Sequence, residues 1–379
     1  MPLILTEEQE MLKESARGFL DEKAPVSELR RLRDDRSEDG FSRSLWKEMA
    51  EMGWAGILID ETHGGAGFGF VGAGVLAEEM GRTLTASPFL STSILAATAL
   101  NKFAGEAMKS EYLPRIAAAD IVMALAVDEG RKHGPANTAM KAEKSGNGFK
   151  LSGSKTFVAD GHVADKIIVA ARTSGAPGEE AGISLFLVDS RAKGVACERT
   201  IMVDSRNAAR ISFDNVPVTG EDLIGELDNG HLALEGVLSA GRAGLAAELS
   251  GAAQRAFEMT TGYLKERTQF GKVIGSFQAL QHRAAHLYCE VELVKSVTLK
   301  ALQDLDNAFG MASVTCSLAK AKAGEVAKLA SQEAIQMHGG IGMTDEYDIG
   351  LYMKRIRVAQ EMFGDSAYHA DRIARLRGY

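Results

Sequence analysis

Two C-terminal stretches of the sequence decide the fold, and they read Arg267-Thr268-Gln269-Phe270-Gly271-Lys272 and Gln336-Met337-His338-Gly339-Gly340-Ile341-Gly342. The first offers, in Arg267, a planar and permanently charged fork that suits phosphate oxygens. The second contains three glycines, which remove side chains where a backbone approaches another group closely. Either stretch alone is more typical of an ordinary helix end. Together they indicate a ligand that carries phosphates.

In this order and at this spacing, the two stretches resemble the FAD-binding segments of the acyl-CoA dehydrogenase family. The resemblance extends to the glycine loop at 61–67, to Ser-Phe-Asp-Asn-Val-Pro-Val at 212–218, and to the small residues that follow Arg242. It implies an α+β fold with three domains. These are an N-terminal α-helical domain at 1–118, a middle β-sandwich or barrel domain at 119–230, and a C-terminal four-helix bundle at 231–379.

Hydrophobic periodicity supports the same division of the chain. Thr6 with Gln9 predicts a capping box that opens the first helix, and Gly146-Asn147-Gly148 predicts a hairpin within the β-domain. The long C-terminal segments suit an antiparallel bundle. Further predicted helices span 45–52, 71–83, 91–103, 111–118, 232–267, 278–309, 312–337 and 348–362. Predicted strands span 121–127, 142–144, 149–152, 166–171, 183–188 and 209–213.

The composition of the 379-residue chain narrows its partners and location. A net charge of −8 argues against nucleic acid or an anionic membrane as the main partner. An N-terminus that turns acidic after five residues, and the lack of a long apolar run, lead us to expect a cytoplasmic protein. Cys197, Cys289 and Cys316 stand far apart, and His282 and His286 lack the glutamate of a metalloprotease motif, so we expect no disulfide and no metal site.

The resemblance implies FAD as the cofactor, held across a subunit interface. The flavin ring is expected against Val127 and the segment from Phe157 to Ala159. At these positions the family commonly has Thr at 127 and 159 and Trp at 157. Two hydroxyl contacts worth about 0.5–1.5 kcal/mol each are therefore lost, which predicts weakened binding and leaves open a degenerate site without flavin. The phosphate and adenine end is expected at Arg267, Gln269, Phe270, Phe277, Gln278, Gln336, Gly339 and Gly340.

The implied reaction is α,β-dehydrogenation of an acyl-CoA thioester, in which a carboxylate removes the α-proton. The family's usual base is a Glu followed by Gly, 23 residues after the paired glycines, and this chain has Phe363 followed by Gly364 there. The alternative base position, immediately before Arg242, holds Gly241. Neither residue accepts a proton, so the sequence leaves the catalytic base unknown. Weak candidates for it are Glu235, Glu361 and Asp365.

The resemblance also implies an acyl-CoA site at Ser239, Arg242, Phe363 and Gly364. The family's CoA loop usually reads Thr-Glu-Pro-Gly-Ala-Gly-Ser-Asp, whereas residues 127–134 read Val-Asp-Glu-Gly-Arg-Lys-His-Gly. The Arg-Lys-His run at 131–133 could meet CoA phosphates, although a basic loop tip is more often only solvated.

The missing base makes the chain resemble the small subunit of bacterial two-subunit dehydrogenases for dicarboxylic or sterol side-chain thioesters. We expect a homodimer or tetramer, with or without a second acyl-CoA dehydrogenase subunit, and an electron-accepting flavoprotein as a further partner. Three hypotheses stay open at this point. They are an FAD-dependent acyl-CoA dehydrogenase, a non-catalytic structural subunit, and an autonomous flavoenzyme that uses another base or another reaction.

Overall fold

The computed structural model describes residues 3–379, which form eleven α-helices and ten β-strands. The helices are α1 Glu7–Lys23, α2 Val26–Asp34, α3 Arg43–Glu51, α4 Gly69–Thr83, α5 Ala97–Phe103, α6 Glu106–Ala117, α7 Gly230–Glu266, α8 Gln278–Ala308, α9 Ser313–His338, α10 Ile349–Glu361 and α11 Ser366–Leu376. The strands are β1 Met123–Ala126, β2 Lys141–Ser145, β3 Gly148–Ala159, β4 Lys166–Arg172, β5 Ile183–Asp189, β6 Val195–Ile201, β7 Asn207–Val218, β8 Leu223–Ile224, β9 Thr268–Gln269 and β10 Lys272–Val273.

The chain divides into two compact units. The bundle unit runs up to Arg31, from Gly74 to Thr85, and from Arg242 to Tyr379. The sheet unit contains residues 32–73 and 86–241. The three domain bounds expected from the sequence stay a prediction. No helix within residues 3–379 is long and apolar enough to cross a membrane, and the cytoplasmic location also stays a prediction.

The first helix begins as its sequence predicts. The Thr6 hydroxyl accepts a hydrogen bond from the Gln9 amide at 3.3 Å, and the Gln9 side chain accepts one from the Thr6 amide at 3.0 Å. This reciprocal pair satisfies two backbone donors that have no acceptor inside the helix. The predicted capping box is therefore confirmed.

The sheet unit is built on one mixed, hydrogen-bonded set of eight strands. Seven strands lie in the order β6-β7-β3-β2-β4-β5-β8, and β1 pairs in parallel with β4. The predicted hairpin joins β2 to β3, where Ser145 pairs with Gly148 and Gly146 has a φ of 60°. Leu151, Ile167 and Phe186 belong to the apolar core on this sheet.

The predicted helix at 91–103 is wrong in its first half. Residues Phe89–Ala96 form a π-helix that is buried throughout, and α5 starts only at Ala97. The side chains of this segment are bonded to the sheet, because Ser91 donates to the Asp160 carboxylate at 2.6 Å and Thr92 bonds the Met123 backbone in both directions. These hydrogen bonds hold the segment in the wider π-helical turn. A π-helix is rare and usually extends over a single turn.

The helices of the bundle unit are joined by ion pairs in which one member is buried or nearly so and the other is partly exposed. Arg17 pairs with Glu79 at 2.8 Å, and Arg82 pairs with Glu258 at 2.8 Å. These two pairs join α1 to α4, and α4 to α7. Removal of one partner is destabilising where it leaves a buried charge without compensation.

Helices α4 and α7 approach each other closely enough for backbone contact. A β-carbon added at Gly251 would lie 1.8 Å from the backbone oxygen of Glu78, and one added at Gly81 would lie 2.1 Å from that of Glu248. Both glycines are therefore required by the helix crossing rather than by helix propensity.

We predict that Gly251→Ala lowers the free energy of unfolding by about 1–3 kcal/mol, because the new methyl group forces the two helices apart. The measurement is urea unfolding followed by circular dichroism. Gly262→Ala is the matched control on the same helix, since a β-carbon there meets no atom within 4 Å. It should stabilise the protein by about 0.5–1 kcal/mol. Equal effects at the two positions would refute the close crossing.

Candidate functional site

The first phosphate-binding stretch forms a tight hairpin directly after α7. Strands β9 and β10 pair Gln269 with Lys272, and the two loop residues, Phe270 and Gly271, have φ angles of 54° and 74°. Two positive φ angles in a two-residue loop define a type I′ turn, which matches the twist of the strands. Arg267 stands at the base of this hairpin with an exposed side chain. Within residues 3–379 its guanidinium has no carboxylate partner, so it remains available to an anionic ligand.

The glycines of the second stretch serve two different purposes. A β-carbon at Gly339 or Gly340 would meet no atom within 4 Å, so both positions face open space. A β-carbon at Gly342 would lie 2.9 Å from the backbone oxygen of Ile335. Only Gly339 and Gly340 therefore leave backbone accessible to a ligand, whereas Gly342 lets the chain pack on the end of α9.

The structure brings the two stretches together on one side of the bundle unit. Leu264, Ile274 and Met337 share a small apolar core, and the Tyr263 ring lies 4.6 Å from the ring of His338. Burial lowers the pKa of His338. The neutral ring can then donate from Nδ1 to the Ala334 oxygen at 2.7 Å and accept at Nε2 from the Tyr347 hydroxyl at 3.0 Å.

The other residues expected at the phosphate and adenine end present exposed surface near this core. The Phe270 ring is 89% exposed and lies 6.3 Å from that of Phe277 in an edge-on arrangement. Lys272 places its ammonium 4.3 Å from the centroid of the Phe277 ring. The side chains of Gln269, Gln278 and Gln336 are exposed as well.

The residues expected beside the flavin ring lie together in the sheet unit. The backbone oxygen of Val127, just after β1, accepts a hydrogen bond from Lys155 at 2.9 Å. Phe157 lies in an irregular part of the β3 pairing, has a φ of 54°, and is 58% exposed, while Ala159 is buried. An exposed aromatic ring on a strained backbone is unusual in a strand. It provides a flat apolar surface of the kind that a flavin ring needs.

These two groups of residues fit FAD. The bundle unit has open glycine backbone and a cation, Arg267, without a carboxylate partner in the range 3–379, which suits phosphates. Considered by itself, the sheet unit has an exposed aromatic ring, which suits a flavin. A backbone surface survives the loss of the two threonine hydroxyls, because a main-chain donor does not depend on the side chain. The observed groups thus meet the chemical needs of both ends of the cofactor.

The loop expected to meet CoA instead uses its carboxylates for internal bonds. Asp128 pairs with His133 at 2.9 Å and accepts from the Gly134 amide at 3.2 Å. Glu129 pairs with Lys155 at 2.7 Å and also accepts two backbone amides. The His133 side chain is only 4% exposed. It is therefore a member of a buried pair rather than part of a solvated basic tip.

The position of the expected base is occupied by a buried hydrocarbon. Phe363 is 8% exposed and has a φ of 58°, and Gly364 follows with a φ of 103°. A β-carbon at Gly364 would lie 2.3 Å from the ring of Tyr368, so glycine is required there. The Phe363 oxygen lies 3.5 Å from Nε of Arg242, which is fully buried.

The weak candidates for a base have other contacts. Glu361 pairs with Arg357 at 3.0 Å near solvent, and Asp365 caps α11 by accepting the Tyr368 amide at 2.8 Å. Glu235 is half-buried on α7. Ser239, also on α7, is buried, and its hydroxyl has no hydrogen-bond partner among the residues that the structure describes.

Sequence reasoning missed one functional candidate, Lys320. Its side chain is buried, and its ammonium nitrogen donates to the oxygens of Gln360 and Gly364 at 2.8 and 3.0 Å. A lysine in a helix usually indicates a solvent-facing position. No local signal distinguishes Lys320 from its exposed neighbours on α9.

Comparison with known proteins identifies the fold. Three family models match, described as the N-terminal, middle and C-terminal domains of acyl-CoA dehydrogenase, at residues 6–120, 122–216 and 228–376. The acyl-CoA dehydrogenase of Bacillus subtilis strain 168 is 30% identical over 365 residues, which cover 94% of each chain.

Two solved structures are similar along their whole length. The acyl-CoA dehydrogenase from Geobacillus kaustophilus has a TM-score of 0.89 at 28% identity and 99% coverage of both chains. A chain of the ChsE4-ChsE5 complex from Mycobacterium tuberculosis has a TM-score of 0.88 at 25% identity and 100% coverage of both chains. The helical, β and helical domains of this fold are thus present here in the order expected from the sequence.

We predict that Arg267→Ala weakens FAD binding by about 10- to 150-fold, because a charge-assisted hydrogen bond contributes about 1.5–3 kcal/mol. The dissociation constant is measured by flavin fluorescence on protein stripped of cofactor. Lys265→Ala is the control, since it removes an exposed positive charge two residues away. Equal losses in both variants would show that general charge, rather than the Arg267 fork, attracts the cofactor.

Proposed function

The chain belongs to the acyl-CoA dehydrogenase family, and we propose that it is a subunit of an oligomeric dehydrogenase that holds FAD but carries no proton-abstracting carboxylate of its own. Family membership implies FAD-dependent dehydrogenation of an acyl-CoA thioester. The observation that carries the finer proposal is Phe363, which replaces the expected glutamate with a buried ring.

The chemistry explains why this replacement matters. FAD, when bound, supplies the hydride acceptor. The α-proton of the thioester needs a separate acceptor, and a general base in position contributes about 10²–10⁴-fold in rate. Glu361 and Asp365 are engaged with Arg357 and the start of α11. Neither Phe363 nor Gly241 has a side-chain group that can accept a proton.

The CoA loop supports the same proposal from the sheet unit. The carboxylates of Asp128 and Glu129 are bonded within the loop and to Lys155. Burial lowers the pKa of Lys155, and the charge of Glu129 opposes this effect. A loop whose polar groups already bond one another has less to offer a CoA chain. We therefore infer that acyl-CoA binding by this chain alone is weak.

Exposed apolar side chains of the bundle unit support assembly into an oligomer. Phe270 is 89% exposed, Met311 81% and Met343 76%. Large exposed apolar groups often mark binding surfaces. The likeness to a chain of the ChsE4-ChsE5 complex supports a second, different subunit as the partner. In that arrangement the partner contributes the base, and an electron-accepting flavoprotein reoxidises the enzyme.

A non-catalytic structural subunit is the second candidate function. The altered CoA loop favours it, while the open phosphate-binding surface at Arg267 and Gly339 favours retained flavin. The two candidates differ in one property, namely whether the assembled protein turns over at a site formed with this chain.

We predict that the purified chain shows little or no acyl-CoA dehydrogenation, and that Phe363→Glu raises its rate by about 10²–10⁴-fold. The new carboxylate would precede Gly364, the position that the family uses. The rate is measured with an artificial electron acceptor and a panel of acyl-CoA thioesters.

Phe363→Gln is the matched control, because it has nearly the same shape as the glutamate variant but cannot accept a proton at neutral pH. It should remain inactive. Rapid turnover by the unmodified chain would contradict the proposal, and Glu235, Glu361 and Asp365 would then be the first residues to replace.

The proposed placement of FAD between subunits requires the chain to form an oligomer. We predict that the chain with bound FAD forms a dimer or a larger assembly at micromolar concentration, because the phosphate-binding stretches serve a flavin that lies against a neighbouring subunit. Light scattering coupled to size-exclusion chromatography gives the mass. A stable monomer that retains its full flavin content would contradict the placement of the cofactor between subunits.

A further inference from the structure

The turn between α10 and α11 is held by two buried side chains from other helices. Lys320, on α9, donates from Nζ to the oxygens of Gln360 at 2.8 Å and Gly364 at 3.0 Å. Arg242, on α7, places Nε 3.5 Å from the oxygen of Phe363. Lys320 is 1% exposed and Arg242 is 0% exposed. Two backbone oxygens of this turn and one from the end of α10 therefore face two nitrogen donors in the protein interior.

The turn needs such support because its backbone is unfavourable. Phe363 has a φ of 58°, a region that residues with a β-carbon avoid, and Gly364 has a φ of 103°. The last carbonyls of a helix also have no donor within the helix. Lys320 satisfies one of them, that of Gln360 in the last turn of α10, and it joins this carbonyl to the residue after Phe363.

We propose that Lys320 is the positioning residue of this turn, which it holds so that the backbone at residue 363 keeps the place where the family carries its base. The proposal goes beyond the proposed function, because it concerns the backbone and holds whether residue 363 is Phe or Glu. It also gives a role to a buried polar group that the flavin site does not use.

The hydrogen-bonding pattern suits a neutral amine. A neutral lysine has two N–H hydrogens, and Lys320 has two carbonyl acceptors. An ammonium group has a third hydrogen, for which the part of the chain at 3–379 provides no acceptor. Burial lowers the pKa of Lys320 to about 7, and the charge of Arg242 acts in the same direction, whereas Glu361 and Asp365 oppose it. The amine is thus neutral in part near pH 7.

The charged and titratable groups around Lys320 come from every neighbouring helix. The charges that act on Lys320 are those of Arg242 on α7, Glu361 on α10 and Asp365 before α11. Further buried titratable groups on the packed helices are His369 on α11 and Cys316 on α9 itself. Burial raises the pKa of the Cys316 thiol to about 12, so it stays uncharged. Arg242 stays protonated. A proton added to Lys320 would therefore create a second buried positive charge beside it.

This arrangement predicts the direction of a pH effect. The unfolded lysine binds its proton up to about pH 10.5, while the folded one releases it near pH 7. The unfolded chain then carries more protons between these two values, so stability increases with pH across this window. The stabilisation is therefore lost progressively as the pH falls from about 10.5 and is absent below about 7, and the turn should loosen over the same range.

Hydrogen exchange of the residues at 358–368, read by mass spectrometry, tests the proposal on the full chain. In the unmodified protein, exchange of this segment, corrected for intrinsic rates, should accelerate as the pH falls from 9 to 7 and should level off below 7. Lys320→Met removes both donors at nearly constant length. It should speed exchange in this segment by about 30-fold, the effect of two lost hydrogen bonds, and abolish the pH dependence.

Lys328→Met is the matched control, since Lys328 lies on the same helix with an exposed side chain, and it should leave both properties unchanged. Unchanged exchange at 358–368 in Lys320→Met would overturn the proposal. So would a pH dependence that persists in this variant, because His369 or another group would then be its source. If Lys320→Met does not fold, the pH profile of the unmodified protein still tests the proposal. A profile that is flat with pH would overturn the proposal.

A second readout separates positioning from general packing. In the Phe363→Glu background, Lys320→Met should lower kcat by about tenfold with little change in KM, because the base is misplaced while substrate contacts remain. A rise in KM alone would contradict the assigned role. The hydrogen-exchange experiment does not depend on enzymatic activity. It therefore tests the role of Lys320 even if the proposed function is wrong.

Discussion

Hydrogen bonds from two buried basic side chains fix the conformation of the short turn between α10 and α11, near the C-terminal end of the bundle unit. Lys320 donates to the backbone oxygens of Gln360 and Gly364, and Arg242 approaches that of Phe363. Carbonyl oxygens satisfy buried donors without adding negative charge, and this suits a neutral amine better than an ammonium group. The shape of the turn therefore depends on the backbone and on distant helices. It does not depend on the side chain at position 363.

It follows that loss of the base and retention of the fold are compatible. A glutamate at 363 could be replaced by Phe without disturbing the donors that hold the turn, because they contact main-chain atoms. The cofactor surfaces are independent of this turn as well. The type I′ hairpin at Phe270 and the open backbone at Gly339 are stabilised by the small core of Leu264, Ile274 and Met337. The proposed cofactor surfaces are therefore separable from the turn at residue 363.

Local sequence signals predicted the features that depend on local chemistry. The Thr6 capping box and the hairpin at Gly146 follow from short-range hydrogen bonding and from positive φ angles, and both are confirmed. Features that depend on tertiary contacts escaped prediction. The edge strand β6 is mostly exposed and has no alternation of buried and exposed residues to detect. The π-helix before Ala97 depends on bonds to the sheet, and the burial of Lys320 depends on helices remote in sequence.

The central claim is that this chain carries a flavin surface without a proton acceptor beside it. The most direct measurement is the visible spectrum of the purified chain under anaerobic conditions, before and after addition of a series of acyl-CoA thioesters. We predict a bound-flavin spectrum that acyl-CoA does not bleach, since the α-proton has no base to receive it. Rapid bleaching of the flavin by a simple acyl-CoA would contradict the lack of a base. A purified oligomer that takes up no flavin would contradict the flavin-binding surface.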